Sequence, residues 1–218
     1  MAREGTPEDL VRAARVVGVT DERLLDAVRS IPRADFVPEH EMASAYWDTP
    51  VPLPHGQVTT QPSLIAMMIS ALGLTGDEQV LEVGTGYGWQ TALLARLAAY
   101  VVSVELRPDL VDEARLRLAG HGVGNTEVVV GDGTLGVPSR APYDAVIVCA
   151  AFPQVPEPLV EQLRTGGRLV QPIGPGGRER VELYERRAGG LVHRRTVTAA
   201  RFVRLYGAHG YDDPPGRW

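Results

Sequence analysis

The chain reads QVLEVGTGYGWQ from Gln79 to Gln90. This stretch opens as a short apolar run, turns through Gly84, Gly86 and Gly88, and leads into the helix-like residues 91–98. Glycine lets a backbone adopt left-handed conformations and approach a ligand closely. The pattern therefore predicts a strand, a tight loop and a helix that together present backbone groups to a bound molecule.

Strand-like and helix-like segments alternate on both sides of this stretch. We predict strands at Val80–Val83, Val101–Glu105, Glu127–Val130, Ala145–Cys149 and Arg168–Pro172, and helices at Trp89–Leu97, Pro108–Ala119 and Glu157–Arg164. Apolar strands separated by amphipathic helices are typical of a mostly parallel sheet covered on both faces. Because crossovers between parallel strands are right-handed, we expect a doubly wound, Rossmann-like α/β fold.

The segment before this core is predicted to hold three helices and a long loop. The helices run from Thr6 to about Val17, from just after Thr20, and from Pro62 to Leu72 with Gly73 as the stop. Residues 31–62 are rich in proline and read as irregular. Such a segment favours either a packed surface loop or a loop that closes over a substrate.

The segment after the core changes character. Short stretches of alternating hydrophobicity at Glu179–Glu185, Leu191–Thr198 and Phe202–Leu205 predict antiparallel strands that finish the sheet. With the five core strands they make eight candidates for a sheet that we expect to have seven strands. Pro214 to Trp218 is expected to be a loose tail. We treat 1–218 as a single domain with three parts: N-terminal helices and substrate loop (1–60), ligand-binding core (61–173) and antiparallel strands (174–211).

Composition limits the classes of partner. The net charge of −5 gives no general attraction to nucleic acid. No apolar run is long enough for a membrane span, and the charged N-terminus lacks the apolar core of a secretory signal. The single cysteine, Cys149, excludes an internal disulfide and a cysteine-rich zinc site. We expect a cytoplasmic monomer that binds no nucleic acid, membrane or metal.

Polar groups follow three consecutive predicted strands. The glycine loop follows the first, Glu105 ends the second, and Asp132 ends the third. Ligands of parallel sheets bind at these strand ends, where a carboxylate can accept hydrogen bonds from both ribose hydroxyls. Asp132 can similarly accept from the amino group of an adenine. Either acid alone has the alternative of a solvated strand end, but the ordered set predicts a nucleoside site.

The rival ligand is a dinucleotide, whose fingerprint places a third glycine three positions after the second. That position is Trp89 here, and the glycines alternate instead. An acidic residue, Glu82, also precedes the loop inside the strand. A bulky tryptophan and an upstream acid suit a cationic ligand that carries an amino acid, which favours S-adenosylmethionine over NAD.

Short segments along nearly the whole chain carry a more specific resemblance. They are Arg33 with FVP at 36–38, GQVTTQP at 56–62, VLEVGTG at 80–86, GDG at 131–133, APYD at 141–144, VCAA at 148–151, GGRLV at 166–170 and RFVRL at 201–205. In this order they resemble the protein-L-isoaspartate O-methyltransferase family, whose members are class I methyltransferases dependent on S-adenosylmethionine. The resemblance implies S-adenosylhomocysteine as the product and a protein or peptide carrying isoaspartate as the acceptor.

In that family the methyl group goes to the free α-carboxylate of an isoaspartyl residue, and the ester closes to a succinimide that hydrolyses partly to aspartate. The resemblance assigns catalysis to Thr60, which would orient the acceptor carboxylate. It assigns the donor to Glu82, Gly84, Thr85, Gly86, Gly88, Glu105, Leu106, Asp132 and Gly133. It assigns the acceptor to Gln57, Val58, Thr59, Ala150 and Val203. An α-carboxyl with a pKa of ~3.5 is already ionised at neutral pH, so no general base is needed.

Some positions depart from the family pattern and keep alternatives open. Thr60 stands in place of a serine, Val58 of a threonine, Phe152 of a proline and Arg204 of another proline. One alternative is a relative that methylates a specific aspartate in a biosynthetic precursor peptide. Another is a cofactor-binding partner protein without catalysis. Thr60 can also be a plain helix-entry threonine, and we interpret His55 as a loop residue and Cys149 as a core residue.

Overall fold

A computed structural model describes residues 5–175 and 177–212. The helices are α1 (Pro7–Val16), α2 (Glu22–Ser30), α3 (Pro62–Leu72), α4 (Trp89–Ala95), α5 (Pro108–Gly120) and α6 (Glu157–Gln162). The strands are β1 (Val51–Pro52), β2 (Val58–Thr59), β3 (Gln79–Val83), β4 (Tyr100–Glu105), β5 (Thr126–Val130), β6 (Tyr143–Val148), β7 (Leu163–Ile173), β8 (Glu179–Arg187) and β9 (Gly190–Ala200). Within the described part of the chain, no helix is long and apolar enough to cross a membrane.

Strands β3 to β9 form one sheet in the order β5-β4-β3-β6-β7-β8-β9. The first five strands in this order are parallel, and β8 and β9 are antiparallel to their neighbours. The predicted seven-stranded, mostly parallel, doubly wound α/β fold is therefore confirmed. The direction of winding reverses between β3 and β6, and such a switch point opens a crevice at the carboxyl ends of the strands.

The two faces of the sheet are covered unequally. Helices α1 to α5 pack on one face, where Leu25, Met68, Leu93 and Val111 join the inward residues of the strands. The other face packs on α6, with Leu159 in its core, on the 3-10 turn at Gly133–Leu135, and on Val137 and Ala141, which flank a second turn at Pro138–Arg140. Because both faces are buried, the central strands read as continuous apolar runs in the sequence.

Some predicted helix ends are confirmed, at positions where a capping residue, a proline or a glycine sets the end of the helix. Helix α1 starts after Thr6, with Pro7 at its first position, and α3 ends at Gly73, whose φ of 57° is left-handed. The predicted ends of α4 and α6 are too late, because Arg96 and Leu97 leave the helix and Leu163 already pairs with Tyr143 in the sheet. Residues Pro214 to Trp218, predicted to be a loose tail, lie outside the described residues.

The predicted strand at Phe202–Leu205 is wrong. This segment is not part of the sheet but crosses the carboxyl ends of the strands, where Ala151 forms an isolated parallel bridge with Arg204. The Ala151 amide donates to the Val203 carbonyl, and the Leu205 amide donates to the Ala151 carbonyl, both at 2.8 Å. Phe202 packs against the core on one face of the sheet and Leu205 lies in the core on the other face, so the segment reads as apolar without being a strand.

Residues 31–61 are irregular, as predicted, but they contain more order than the sequence indicates. Two 3-10 turns, Arg33–Phe36 and Glu39–Ser44, precede a hairpin in which Val51 pairs with Thr59 and Pro52 with Val58. These two-residue strands are too short to leave a period in the sequence.

Candidate active site

A cleft opens at the carboxyl ends of β3, β4 and β6 and holds about 950 Å³ of space, its open mouth included. The predicted residues on its wall are Gln57, Val58, Thr59, Thr60, Gly84, Thr85, Gly86, Gly88, Glu105, Leu106, Gly133, Ala150 and Val203. We call this space the donor cleft. Glu82 and Asp132 are not among its lining residues.

The glycine loop forms the floor of the donor cleft. Gly84, Gly86 and Gly88 have φ values of 95°, 55° and 93°, all in the left-handed region where a side chain is strained. A Cβ at Gly86 would also come within 3.2 Å of Leu53 Cδ1. The alternating glycines thus let bare backbone line the cleft under a loop from the N-terminal segment.

Glu105 lies at the end of β4, with only 8% of its surface exposed. Its carboxylate accepts hydrogen bonds from the amides of Gly86 and Arg107, each at 3.1 Å. Burial raises its pKa, and the hydrogen bonds from these backbone amides oppose that change. A buried carboxylate beside the glycine loop is the arrangement that a ribose diol requires.

Glu82 lies beneath the glycine loop rather than on the cleft wall. Its carboxylate is fully buried and accepts from Gln90 Nε2 at 2.9 Å, Thr91 Oγ1 at 2.5 Å and Ser103 Oγ at 2.6 Å. Burial raises its pKa to about 7 in spite of these donors. In this structure Glu82 fixes the start of α4 against β4, so its predicted contact with the donor stays a prediction.

Asp132 is engaged by the C-terminal segment. It accepts from the amide and hydroxyl of Thr134 at 2.8 and 2.6 Å and from the Ala208 amide at 2.7 Å. Gly207 lies so close that a Cβ there would stand 2.0 Å from the carboxylate. The carboxylate therefore holds the turn that closes this end of the cleft, and its predicted hydrogen bond to adenine remains untested.

Arg33 organises the loop on the opposite side of the cleft. Its guanidinium is fully buried and donates to the carbonyls of Ala45, Trp47 and Thr49 and to the Thr59 hydroxyl, at 2.7 to 3.2 Å. Burial lowers its pKa to about 10, so it remains charged at neutral pH. The hydroxyl of Thr59, predicted to bind the acceptor, is thus directed at Arg33.

Asp48 fixes the other flank of Thr60. Its carboxylate accepts from Gln61 Nε2 at 2.9 Å and from the Ser63 amide at 2.8 Å, at the start of α3. Thr60 therefore lies between a residue held by Arg33 and residues held by Asp48. Thr60 itself is half-buried and lies on the wall of the donor cleft, between the segment bound by Arg33 and the segment bound by Asp48.

The mouth of the donor cleft is covered by the tip of the hairpin. Leu53 packs with Tyr87 and Leu110, and His55 Nε2 lies 2.8 Å from Asp109 Oδ2 at the start of α5. The contact between His55 and Asp109 joins segments that are 54 positions apart in the chain. Sequence reasoning missed Leu53, Tyr87 and Leu110, because an isolated leucine between prolines carries no signal for such a contact.

A second cavity adjoins the donor cleft, with about 1000 Å³ of space that includes open solvent. We call it the acceptor cavity. Val58, Thr60, Cys149 and Val203 line both spaces. The acceptor cavity continues between α3 and the end of β9. Thr60 is therefore at the junction of two cavities, one floored by the glycine loop and the other open to the surface.

Cys149 lies at the same junction. Gln90 Nε2 donates to its sulfur at 2.9 Å, and burial raises the pKa of the thiol, which keeps it protonated at neutral pH. A protonated thiol is a poor nucleophile, in agreement with our interpretation of Cys149 as a packing residue. Among residues 5–175 and 177–212, no three His, Cys, Asp or Glu side chains gather in a group able to hold a metal.

Comparison with known proteins identifies a family to which this chain is similar. The family model described as protein-L-isoaspartate(D-aspartate) O-methyltransferase matches residues 5–210. The chain is 48% identical to the protein-L-isoaspartate O-methyltransferase of Methanoculleus marisnigri over 96% of this chain and 93% of the relative.

Solved structures of the same family also resemble this chain. One protein-L-isoaspartate O-methyltransferase superposes with a TM-score of 0.83 at 29% identity, covering 94% of this chain and 67% of that chain. A Plasmodium falciparum protein of the same type, in complex with S-adenosyl-L-homocysteine, gives a TM-score of 0.79 over 93% of this chain and 99% of that chain. Since its identity is 20%, this second likeness supports the fold alone.

Proposed function

This chain belongs to the protein-L-isoaspartate(D-aspartate) O-methyltransferase family, and we propose that it methylates the free α-carboxylate of isoaspartyl residues in damaged proteins and peptides. The observation that carries the proposal is the position of Thr60 at the junction of the donor cleft and the acceptor cavity. Methyl transfer between two bound molecules needs such a junction, because the donor and acceptor atoms must meet in line at close range.

The residues of the donor cleft fit S-adenosylmethionine. Bare backbone at Gly84 to Gly88 leaves room for the amino-acid part of the donor, and the buried Glu105 is suited to the ribose. When bound, S-adenosylmethionine supplies a methyl group activated by a sulfonium. The protein's own contribution on this side is to hold the donor and to exclude water with Leu53 and Tyr87 at the mouth.

The acceptor side supplies orientation rather than acid–base chemistry. The α-carboxylate of isoaspartate is ionised at neutral pH, so the nucleophile needs no deprotonation. The Thr60 hydroxyl would donate a hydrogen bond to one carboxylate oxygen and leave the other free to react. Because a cation and an anion neutralise each other in the transfer, a cleft that excludes water favours the transition state over the separated charges.

The same residues would serve a dedicated precursor peptide, so the acceptor decides between the proposal and its nearest alternative. The relatives' names and the acceptor cavity's open end both favour general acceptors. Our expectations of a monomer and of a cytoplasmic location stay predictions, as does the division into parts 1–60, 61–173 and 174–211.

The test pairs an isoaspartyl peptide with its aspartyl twin, each incubated with purified protein and methyl-labelled S-adenosylmethionine. We expect label on the isoaspartyl peptide only. Label restricted to the aspartyl twin would favour the precursor-peptide alternative, and tight donor binding without turnover on either would favour a partner protein.

Thr60→Val tests the assigned role of the hydroxyl. Since hydrogen bonds to charged groups contribute about 1.5–3 kcal/mol, kcat should fall about 10- to 100-fold with the donor Kd unchanged. Thr60→Ser is the matched control that keeps the hydroxyl and should retain most of the activity. Undiminished turnover by Thr60→Val would remove Thr60 from the mechanism.

A further inference from the structure

Apolar side chains of three separate segments line part of the acceptor cavity, beside the polar side chains of Thr60, Gln61, Ser63 and Thr198. Pro50 and Val58 come from the hairpin region, Leu64 and Met67 from α3, and Phe202 from the segment that crosses the sheet ends. Val58 stands where the family resemblance predicts a threonine, and 40% of its surface is exposed. Val58 therefore presents an apolar surface to both cavities.

The ionised side chains that line the acceptor cavity would also discriminate between ligands. Among the described residues that line the acceptor cavity, Arg201 is the one ionised side chain, and it lies exposed near the end of β9. No carboxylate is found in the part of the lining that the structure describes. A cationic side chain that entered this cavity would therefore lose solvation beside an arginine without gaining an ion pair.

The chemistry of isoaspartate decides which part of the acceptor reaches this wall. Its main chain runs through the β-carboxyl, so the free α-carboxylate branches off between the two neighbouring residues. When that carboxylate enters the junction at Thr60, the neighbouring residues remain in the acceptor cavity, because the preceding Cα atom is only ~3.8 Å away and the following one is a single methylene further along the chain.

We propose that the acceptor cavity binds an apolar side chain next to the isoaspartyl residue and disfavours a cationic one there. The inference rests on the proposed function and adds a preference of sequence to it. Val58, Leu64, Met67 and Phe202 provide the apolar contact, and Arg201 provides the discrimination against lysine and arginine.

The experiment measures kcat/KM for isoaspartyl peptides that differ at one neighbouring position. Leu, Ser or Lys is placed directly before isoaspartate in one set and directly after it in a second set. Because partial burial of a leucine side chain is expected to shift binding about tenfold, Leu should exceed Ser by about that factor, through KM, in at least one set. Lys should fall below Ser in the same set.

Two variants link the preference to the wall. Val58→Thr should reduce the Leu-to-Ser ratio at least twofold, whereas Val16→Thr, at an exposed valine of α1 outside both cavities, should leave it unchanged. Arg201→Gln should raise kcat/KM for the Lys peptide and leave the Leu-to-Ser ratio as it was. Val58 and Arg201 lie on the surface of the cavity, so both variants are expected to fold.

The possible failures are distinguishable. Methylation of all peptides with equal kcat/KM, or a preference for Lys in both sets, would overturn this inference and leave the isoaspartyl activity standing. A Leu preference that Val58→Thr does not alter would overturn the assignment to this cavity. Absence of methylation on every isoaspartyl peptide would overturn the proposed function and this inference together.

Discussion

The donor cleft and the acceptor cavity share a wall but are built from different material. The floor of the donor side consists of the ends of β3, β4 and β6 and of the glycine loop that follows β3. The acceptor side adds an irregular loop, a hairpin of two-residue strands and a segment that crosses the sheet ends to the surfaces of α3 and the end of β9. Its geometry depends on side chains, chiefly Arg33 and Asp48, that bind distant backbone.

This difference has a physical reason. A nucleoside is the same in every reaction cycle, so a rigid backbone cradle at fixed strand ends can bind it. A damaged protein presents varied sequences, so the acceptor side needs an open cavity and one fixed hydroxyl, which irregular segments can provide. We therefore expect donor-side variants to change donor affinity or core stability, and acceptor-side variants to change peptide turnover.

Glu82→Gln should produce the largest effect, on the stability of the donor side. The pKa of Glu82 is raised to about 7, so the folded protein keeps this proton up to that pH whereas the unfolded chain loses it near 4.5. The contribution of protonated Glu82 to the free energy of unfolding of the wild type should therefore be fully present below pH ~4.5. It should be lost, by on the order of 3 kcal/mol, as pH rises to ~7.

Urea unfolding between pH 4.5 and 8 gives the free energy of unfolding of the wild type and of Glu82→Gln. The difference between the two values at each pH measures the contribution of Glu82. The difference should shift in favour of the variant as pH rises and level off above pH ~7. A constant difference across the range would show that Glu82 is ionised throughout, and would contradict the burial argument.

Glu105→Gln should come next, with an effect confined to the donor. The variant loses the charge and one of two acceptor oxygens that hold Gly86 and Arg107, so the Kd for S-adenosylhomocysteine should rise about 30-fold. Calorimetric titration measures it. Glu127→Gln, at a partly exposed glutamate of β5 that pairs with Arg140 outside both cavities, is the control and should leave the Kd unchanged. An equal rise in peptide KM for Glu105→Gln would show that the two sides are not separable.

Arg33→Lys should give a smaller effect on the acceptor side. An ammonium cannot reproduce the planar contacts to three carbonyls and the Thr59 hydroxyl, so Thr60 loses one anchor and kcat with an isoaspartyl peptide should fall about tenfold. The donor Kd should change less than kcat. Turnover and calorimetry on the same preparation give both values.

Arg186→Lys is the matched control, because Arg186 donates to the carbonyls of Val160, Glu161 and Leu163, outside both cavities. It should lower thermal stability without a change in kcat. Thr59→Ser should behave like wild type and Thr59→Val like Arg33→Lys. If both arginine variants lowered kcat equally, the loss would reflect general stability rather than the position of Thr60.

The donor side was the easier half to predict from sequence. Alternating glycines, a carboxylate one strand later and apolar strands are local patterns, and each maps onto the structure near its predicted position. The Phe202–Leu205 segment could not be predicted in the same way, because its partner is the exposed end of the sheet at Ala151. The same holds for the Arg33 guanidinium, whose acceptors lie 12 to 26 positions away.

The sequence by itself determined the fold class, the glycine loop and the family, because these depend on periodicity and on short motifs whose spacing is set by the backbone. Only the tertiary structure decided that Glu82 lies beneath the cleft, that Asp132 binds the C-terminal turn and that Thr60 lies where two cavities meet. Those facts depend on contacts between segments far apart in the chain, and such contacts leave no period in a sequence.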